Sequence, residues 1–533
     1  MKKYLTLIFL MVFGLAMLSA NNIAVTNLSL TGKNTTSDYV MVQFDLSWEN
    51  SWRTSSAPNN WDAAWVFVKY RVQAASGGDG LWKHTSLNDA GHSAPSGSTI
   101  AIGLLTPGTS FNATTNPGLG AFIYRSADGT GTFTKAGVQL RWNYGINYKT
   151  GTTPIGDNDV VDIQVYAIEM VYVPQGSFYV GDGTTGAPVT NISGQFNVYN
   201  SSTAYQITGE SVPTILGGSA SGNMRNNNAS SSTMLTPDDF NNTTTQSLPA
   251  AFPKGYATFY CMKYEISQQG YVDFLNSLTY TQQAKRTAIA PSSAAGTYLY
   301  NTKRNKIKIS TLGTNSTVPA IYATDYSYVA CNYLAWPDLA AYLDWSGLRP
   351  MTELEFEKAC RGTESAVVSE YAWHSIAITQ NTGITNSGLI NETSTSNGNG
   401  TYGSHASVQG PMRVGAFATS SSTCVLSGAT CYGIMEMSGN LWEQTVTVGN
   451  ATGRLFTGTH GNGALAINGN ADALTWPGTD ADVIGVLSAG FGFRGGGWSL
   501  SLKRLEVSDR NSAADPWSAR GQSYGGRGVR LAP

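Results

Sequence analysis

Charge is the first thing this chain lacks. Lys, Arg, Asp and Glu make up 12% of its 533 residues, about half the usual share in a globular protein. The net charge is −2, so there is no basic field to attract nucleic acid or an anionic membrane, and no nucleic-acid partner is expected. Cysteine is scarce and confined: there are five, none before Cys261 and none after Cys431. Long apolar runs are missing apart from one at the N-terminus. There Lys2 and Lys3 precede an apolar stretch over residues 4–18, and Ser19-Ala20 offers small residues for cleavage. These are the parts of a secretory signal over residues 1–20. The run is shorter than the ~20 residues of a spanning helix, no basic stop-transfer flank follows it, and no Cys stands at the cleavage point to carry a lipid. The expectation is a protein without a membrane span, secreted or at the cell surface after signal removal.

What is abundant fits that compartment. Gly is plentiful, and Ser, Thr and Asn fill the connecting stretches, a surface chemistry common in extracellular β-rich proteins. Export also places the cysteines where disulfides persist. Cys424 and Cys431 bracket a six-residue loop that a disulfide could close, and Cys331 and Cys360 flank a helical stretch and could pair. The odd count leaves at least one thiol free or intermolecular.

Residues 21–167 read as β. Val40-Met41-Val42-Gln43-Phe44-Asp45-Leu46 alternates like a half-buried strand, residues 64–72 read as a more buried one, and residues 138–142 and 160–166 alternate again. Gly-, Ser- and Pro-rich turns separate them, which predicts an all-β sandwich of immunoglobulin-like size. His84 and His92 fall in turns and are read as loop histidines. A second, α+β domain is expected over residues 168–533, with a long polar insertion at about 182–249, either a surface loop or partly disordered. Three helices are predicted. Ser267 caps the first, with Tyr271, Phe274, Leu275 and Leu278 on one face. The second covers residues 336–345, with Pro337 in its first turn and Gly347 at its end. Thr352 and Glu355 open the third as a capping box.

Five segments of this second domain, in order, carry a resemblance. They are the strand–turn–strand at residues 170–181, Tyr264-Glu265-Ile266-Ser267, Arg349-Pro350-Met351-Thr352-Glu353, Gly439-Asn440-Leu441-Trp442-Glu443, and the pair Arg494-Gly495-Gly496-Gly497-Trp498 and Gly526-Arg527-Gly528-Val529. Together they resemble the formylglycine-generating enzyme, or sulfatase-modifying-factor, family. The resemblance implies a C-type-lectin-like fold. Catalytic members place two thiolates after the Arg-Gly-Gly motif to bind soft Cu(I). Here residues 499–508 contain no sulfur, so no copper and no catalytic residues are expected. The iron chemistry of related sulfoxide synthases is not expected either, since His374, His405 and His460 show no His-x-x-x-His spacing.

The resemblance also implies a structural calcium held by the Asn440 side chain, the Leu441 carbonyl and the Glu443 carboxylate, hard oxygens of the kind calcium takes. Arg494, Arg510, Arg527 and Arg530 are read as donors to loop carbonyls rather than anion binders. Trp498, Leu500, Leu502, Trp517 and Tyr524 are candidate ligand-binding residues, because aromatics on Ser/Gly-rich loops suit adaptable recognition. The expected function is extracellular binding or adhesion, to a protein or glycan ligand. The alternatives are a self-associating envelope or filament component, and an oxidase of the formylglycine-generating type with rearranged thiols.

Overall fold

The protein is described from a computed structural model covering residues 17–18, 22–182, 193–199, 203–226, 234–419, 422–479 and 489–533. The expected signal, residues 1–20, lies outside the described residues except for Met17–Leu18.

Strand dominates over helix. Alternation places Tyr39–Arg53: Val40, Val42, Phe44, Leu46 and Trp48 are buried while the residues between them reach solvent. This strand pairs antiparallel with Ala24–Asn34 and Gly129–Trp142 to form the first sheet. The second sheet runs in the order Ser98–Leu104, Gly118–Arg125, Asp62–Val72, Val161–Val173, Phe259–Met262, Gly528–Leu531, Arg349–Pro350. Asp62–Val72 is buried along nearly its whole length because both of its faces are covered. Ala64, Val66, Val68 and Tyr70 pack with the first sheet. Ala63, Trp65 and Phe67 enter the larger core that includes Phe274, Leu339 and Leu343 of the helices.

The second sheet does not stop where the sequence suggests a domain ends. Val161–Val173 pairs with Asp62–Val72 from Val161 to Val171, and with Phe259–Met262 from Met170 to Val173. The expected boundary at 167/168 therefore lies inside one uninterrupted strand. Side chains tie the same junction. Trp65 Nε1 donates to the Ser346 carbonyl at 2.8 Å and Lys69 Nζ to the Trp345 carbonyl at 2.7 Å. Arg530 lies over the Trp65 ring at 4.5 Å and donates to the Gly347 and Leu104 carbonyls. Asp62 accepts from Trp48 Nε1 at 2.8 Å and pairs with Lys263 at 3.3 Å, while Lys263 also pairs with Glu169 at 2.9 Å.

The three predicted helices occur at Gln268–Asn276, Trp336–Trp345 and Glu353–Arg361. Ser267 Oγ accepts from the Gly270 amide at 3.1 Å. Thr352 and Glu355 bond reciprocally at 3.1 and 3.0 Å. A further helix, Tyr280–Arg286, has its own capping box from Thr279 and Gln282; its mostly polar seven residues carry too little apolar periodicity to announce it.

Two expectations change. The polar stretch 182–249 is not simply a surface loop, because short strands Phe196–Val198, Thr214–Gly217, Met224–Asn226 and Thr245–Leu248 form a sheet within it. Phe196, Leu216, Met224, Phe240 and Leu248 are fully buried. Isolated apolar residues among Ser, Thr and Asn show no period in sequence, yet they anchor the segment. Residues 183–192, 200–202 and 227–233 of it lie outside the described residues. His84 is likewise no loop histidine: its ring stacks on Phe67 at 5.8 Å, and burial lowers its pKa well below the usual value.

Candidate functional site

The Gly-Asn-Leu-Trp-Glu turn is built around a carboxylate that the sequence reading did not single out. Asn440 has φ +63°, a conformation Asn tolerates better than most residues. Its Oδ1 accepts the Met412 amide at 2.7 Å, and its Nδ2 donates to Glu265 Oε2. Glu265 Oε1 accepts the Leu441 amide at 2.9 Å. Glu443 opens the strand Glu443–Val446, paired with Phe491–Arg494, and its Oε1 accepts from Arg527 Nε at 2.5 Å. Burial is the main force raising the pKa of Glu265, with the Glu443 charge adding to it; burial likewise raises Glu443 and pushes Glu436 up to about 7.

Calcium needs six to eight oxygens. Asn440 Oδ1 already serves an amide, and Arg527 already supplies the cation that Glu443 faces. Of the expected ligands, Asn440 Oδ1 is engaged while Glu443 Oε2 has no hydrogen-bond partner. Among the described residues no group of three or more His, Cys, Asp or Glu is arranged to hold a metal.

The closing segment is held by buried ion pairs. Arg494 donates to Glu353 at 2.9 Å, to Glu357 at 2.7 Å and to the Val507 carbonyl at 2.7 Å. Arg510 reaches Glu353 at 2.7 Å and Asp238 at 2.6 Å. Arg494 and Arg510 thus bind carboxylates more than carbonyls, and Glu353, read only as a first-turn residue, is the shared acceptor. Between them the backbone passes too closely for side chains: a Cβ on Gly496, at φ +70°, would lie 2.7 Å from Leu505 Cδ1. Leu505 is itself buried against Tyr371 and Trp373. Ser499 Oγ engages Ser523 Oγ at 2.7 Å.

The five candidate contact residues separate. Trp498 is only 1% exposed; its indole donates to the Gln522 carbonyl at 3.0 Å and its amide to the Asn440 carbonyl at 2.7 Å. It is a core residue, because the glycines before it turn the ring inward. Leu500 and Tyr524 are half-buried against the main core, with the Tyr524 ring 4.5 Å from Phe493. Leu502 and Trp517 do reach solvent, at 40% and 45% exposure.

The sulfatase-modifying factor enzyme 1-like domain family matches residues 162–532. The chain belongs to that family. The match begins at the strand shared with the N-terminal sheet, so the family domain and the preceding β structure meet inside a single element. No curated protein matches the chain.

The sulfur of this sulfatase-modifying-factor domain lies elsewhere than in its closing segment. All five cysteines are free in this structure. Cys261, Cys331 and Cys360 are buried, and burial raises the pKa of each thiol. Cys424 is half-buried and Cys431 exposed. His374 Nδ1 lies 2.8 Å from Glu370 Oε2.

Proposed function

We propose that the protein is a secreted or surface binding protein that uses its sulfatase-modifying-factor domain as a scaffold rather than as an oxidase. One observation carries this reading. The segment after Arg-Gly-Gly is occupied by buried Leu505, by Arg504 ion-paired with Asp509 and by Ser499 paired with the Ser523 hydroxyl, while Leu502 and Trp517 of the closing loops project outward. Hydroxyls are hard ligands that do not replace a soft bis-thiolate for Cu(I). An exposed indole on a loop tied down by buried ion pairs supplies contact area at low entropic cost. The ligand is an extracellular protein or glycan met by this surface.

A glycan and peptide array probed with the purified chain tests the proposal. Binding that disappears in Trp517→Ala, with folding unchanged by circular dichroism, supports it. Stoichiometric Cu(I) binding accompanied by oxidation of a cysteine-containing peptide would overturn it. Assembly into filaments without any ligand would replace it with the self-associating alternative.

A further inference from the structure

A cleft of about 560 Å³ opens where the N-terminal sheet meets the helices, and no residue of the closing segment lines it. Its volume falls in the range of ~300–1,000 Å³ typical of small-ligand sites. One part of the wall is N-terminal structure. The short strand Lys83–His84 pairs with Lys69 and Tyr70 of Asp62–Val72. The turn before it is fixed by Asp79, whose carboxylate accepts the Leu81 amide at 3.1 Å and Lys83 Nζ at 2.6 Å. The rest comes from the joint between the helices Gln268–Asn276 and Tyr280–Arg286, from Trp345, and from the loop at Asn462–Leu465.

The wall carries hydrogen-bonding groups to spare but no free charge. Three amides are pinned by the protein. Asn276 bonds the Tyr322 carbonyl and amide at 3.1 and 2.8 Å. Gln282 bonds the Ala466 carbonyl and the Thr279 amide, each at 3.1 Å. Asn462 bonds Asp472 Oδ1 at 2.9 Å and the Ala464 amide at 2.7 Å. Each spends one N–H and one lone pair there, and a primary amide has two of both. Deeper in, Trp345 is only 5% exposed and its Nε1 has no hydrogen-bond partner. His84 Nε2 meets the Leu119 carbonyl and so carries the ring proton, which leaves Nδ1 as an acceptor, also without a partner. The cations are occupied: Arg71 pairs with Asp162 at 2.8 Å and Lys83 with Asp79. Lys69 donates to the Trp345 and Gly463 carbonyls, and burial lowers its pKa well below the usual value.

We propose that this cleft binds one or two rings of a neutral saccharide, at a site additional to the Trp517 surface. A sugar ring has an apolar C–H face and a rim of hydroxyls, each both donor and acceptor. The cleft offers the complement of both. Half-buried Trp82 supplies an aromatic wall, steadied by the Arg71 guanidinium 4.7 Å from its ring, with Leu81 beside it in sequence and 43% exposed. The pinned amides meet hydroxyls with little freedom left to lose. Hydroxyls also supply the donor that His84 Nδ1 lacks and the acceptor that Trp345 Nε1 lacks. A phosphate or carboxylate ligand finds no unpaired cation here, which is why the ligand is neutral.

The test uses the full chain and saturation-transfer NMR, with glucose, galactose, mannose, N-acetylglucosamine, cellobiose, lactose and chitobiose as probes. At least one should bind, with saturation strongest on the C–H protons of one ring face. Trp82→Ala should weaken that binding about tenfold. Ala464→Trp keeps the proposal falsifiable should Trp82→Ala not fold. Ala464 is an exposed residue of the wall, so a large side chain there fills the cleft without removing a packed contact, and binding should be lost. The proposal is overturned if the folded chain binds none of these saccharides, or if inorganic phosphate displaces the one that binds. Binding that survives Ala464→Trp and is lost in Trp517→Ala would place the sugar on the closing loops and equally overturn it.

Discussion

Arg527 donates from Nε to Glu443 Oε1 at 2.5 Å, with both side chains no more than 1% exposed. The pair joins the last strand to the Gly-Asn-Leu-Trp-Glu turn. Burial opposes the Arg527 charge, but Glu443, aided by Glu265 and Glu436, outweighs it and keeps the guanidinium charged. Removing one partner of such a pair leaves an uncompensated buried charge, at a cost of about 3–5 kcal/mol. Arg527→Met is expected to lose that much in urea denaturation. The double variant with Glu443→Gln should lose clearly less than the sum of the two single changes.

The continuity of Val161–Val173 across both pairings sets how the protein unfolds. Trp65 and Phe67 belong to the core shared with the helices, while Val66 and Val68 belong to the sandwich core. One calorimetric transition is expected over residues 22–533. A chain beginning at residue 161 should be insoluble or rapidly proteolysed, because the deletion strips a neighbour from the strand and exposes the Trp345 face. Two separate transitions, or a stable truncated chain, would show the junction to be weaker than its contacts imply.

Stability should fall as pH rises from about 4 to about 7. Burial pushes Asp273, Asp344 and Glu436 each up to about 7, whereas unfolded carboxylates titrate near ~4. The folded state therefore binds these protons more tightly, so their stabilising effect is complete below ~4 and is lost as pH passes through about 7. Asp273→Asn removes one such group. Urea melts between pH 5 and 7 should show a slope flatter by up to ~1.4 kcal/mol per pH unit than the unsubstituted protein.

Two tryptophans of the closing segment should behave in opposite ways. Trp498→Ala removes a buried ring and a satisfied indole donor, at a cost of about 3–5 kcal/mol. Trp517→Ala removes a ring that is 45% exposed and should change stability by no more than about 0.5 kcal/mol. Paired thermal melts distinguish them.

Sequence alone determined what depends on near neighbours. The caps at Ser267 and Thr352 use side chains three residues from the amides they serve. The alternation of Val40 to Trp48 names the buried face, and the ordered Gly-Arg and Gly-Asn motifs mark the family. Only the tertiary structure decided what depends on distant partners. Asn440 meets Glu265 across 175 residues and Glu443 meets Arg527 across 84. These contacts tie the Gly-Asn-Leu-Trp-Glu turn to the strand entry at Glu265 and to the last strand. Folding also turned Trp498 inward and carried one strand through the expected boundary at 167/168. No period in a chain can encode such meetings, because they arise where separate elements pack.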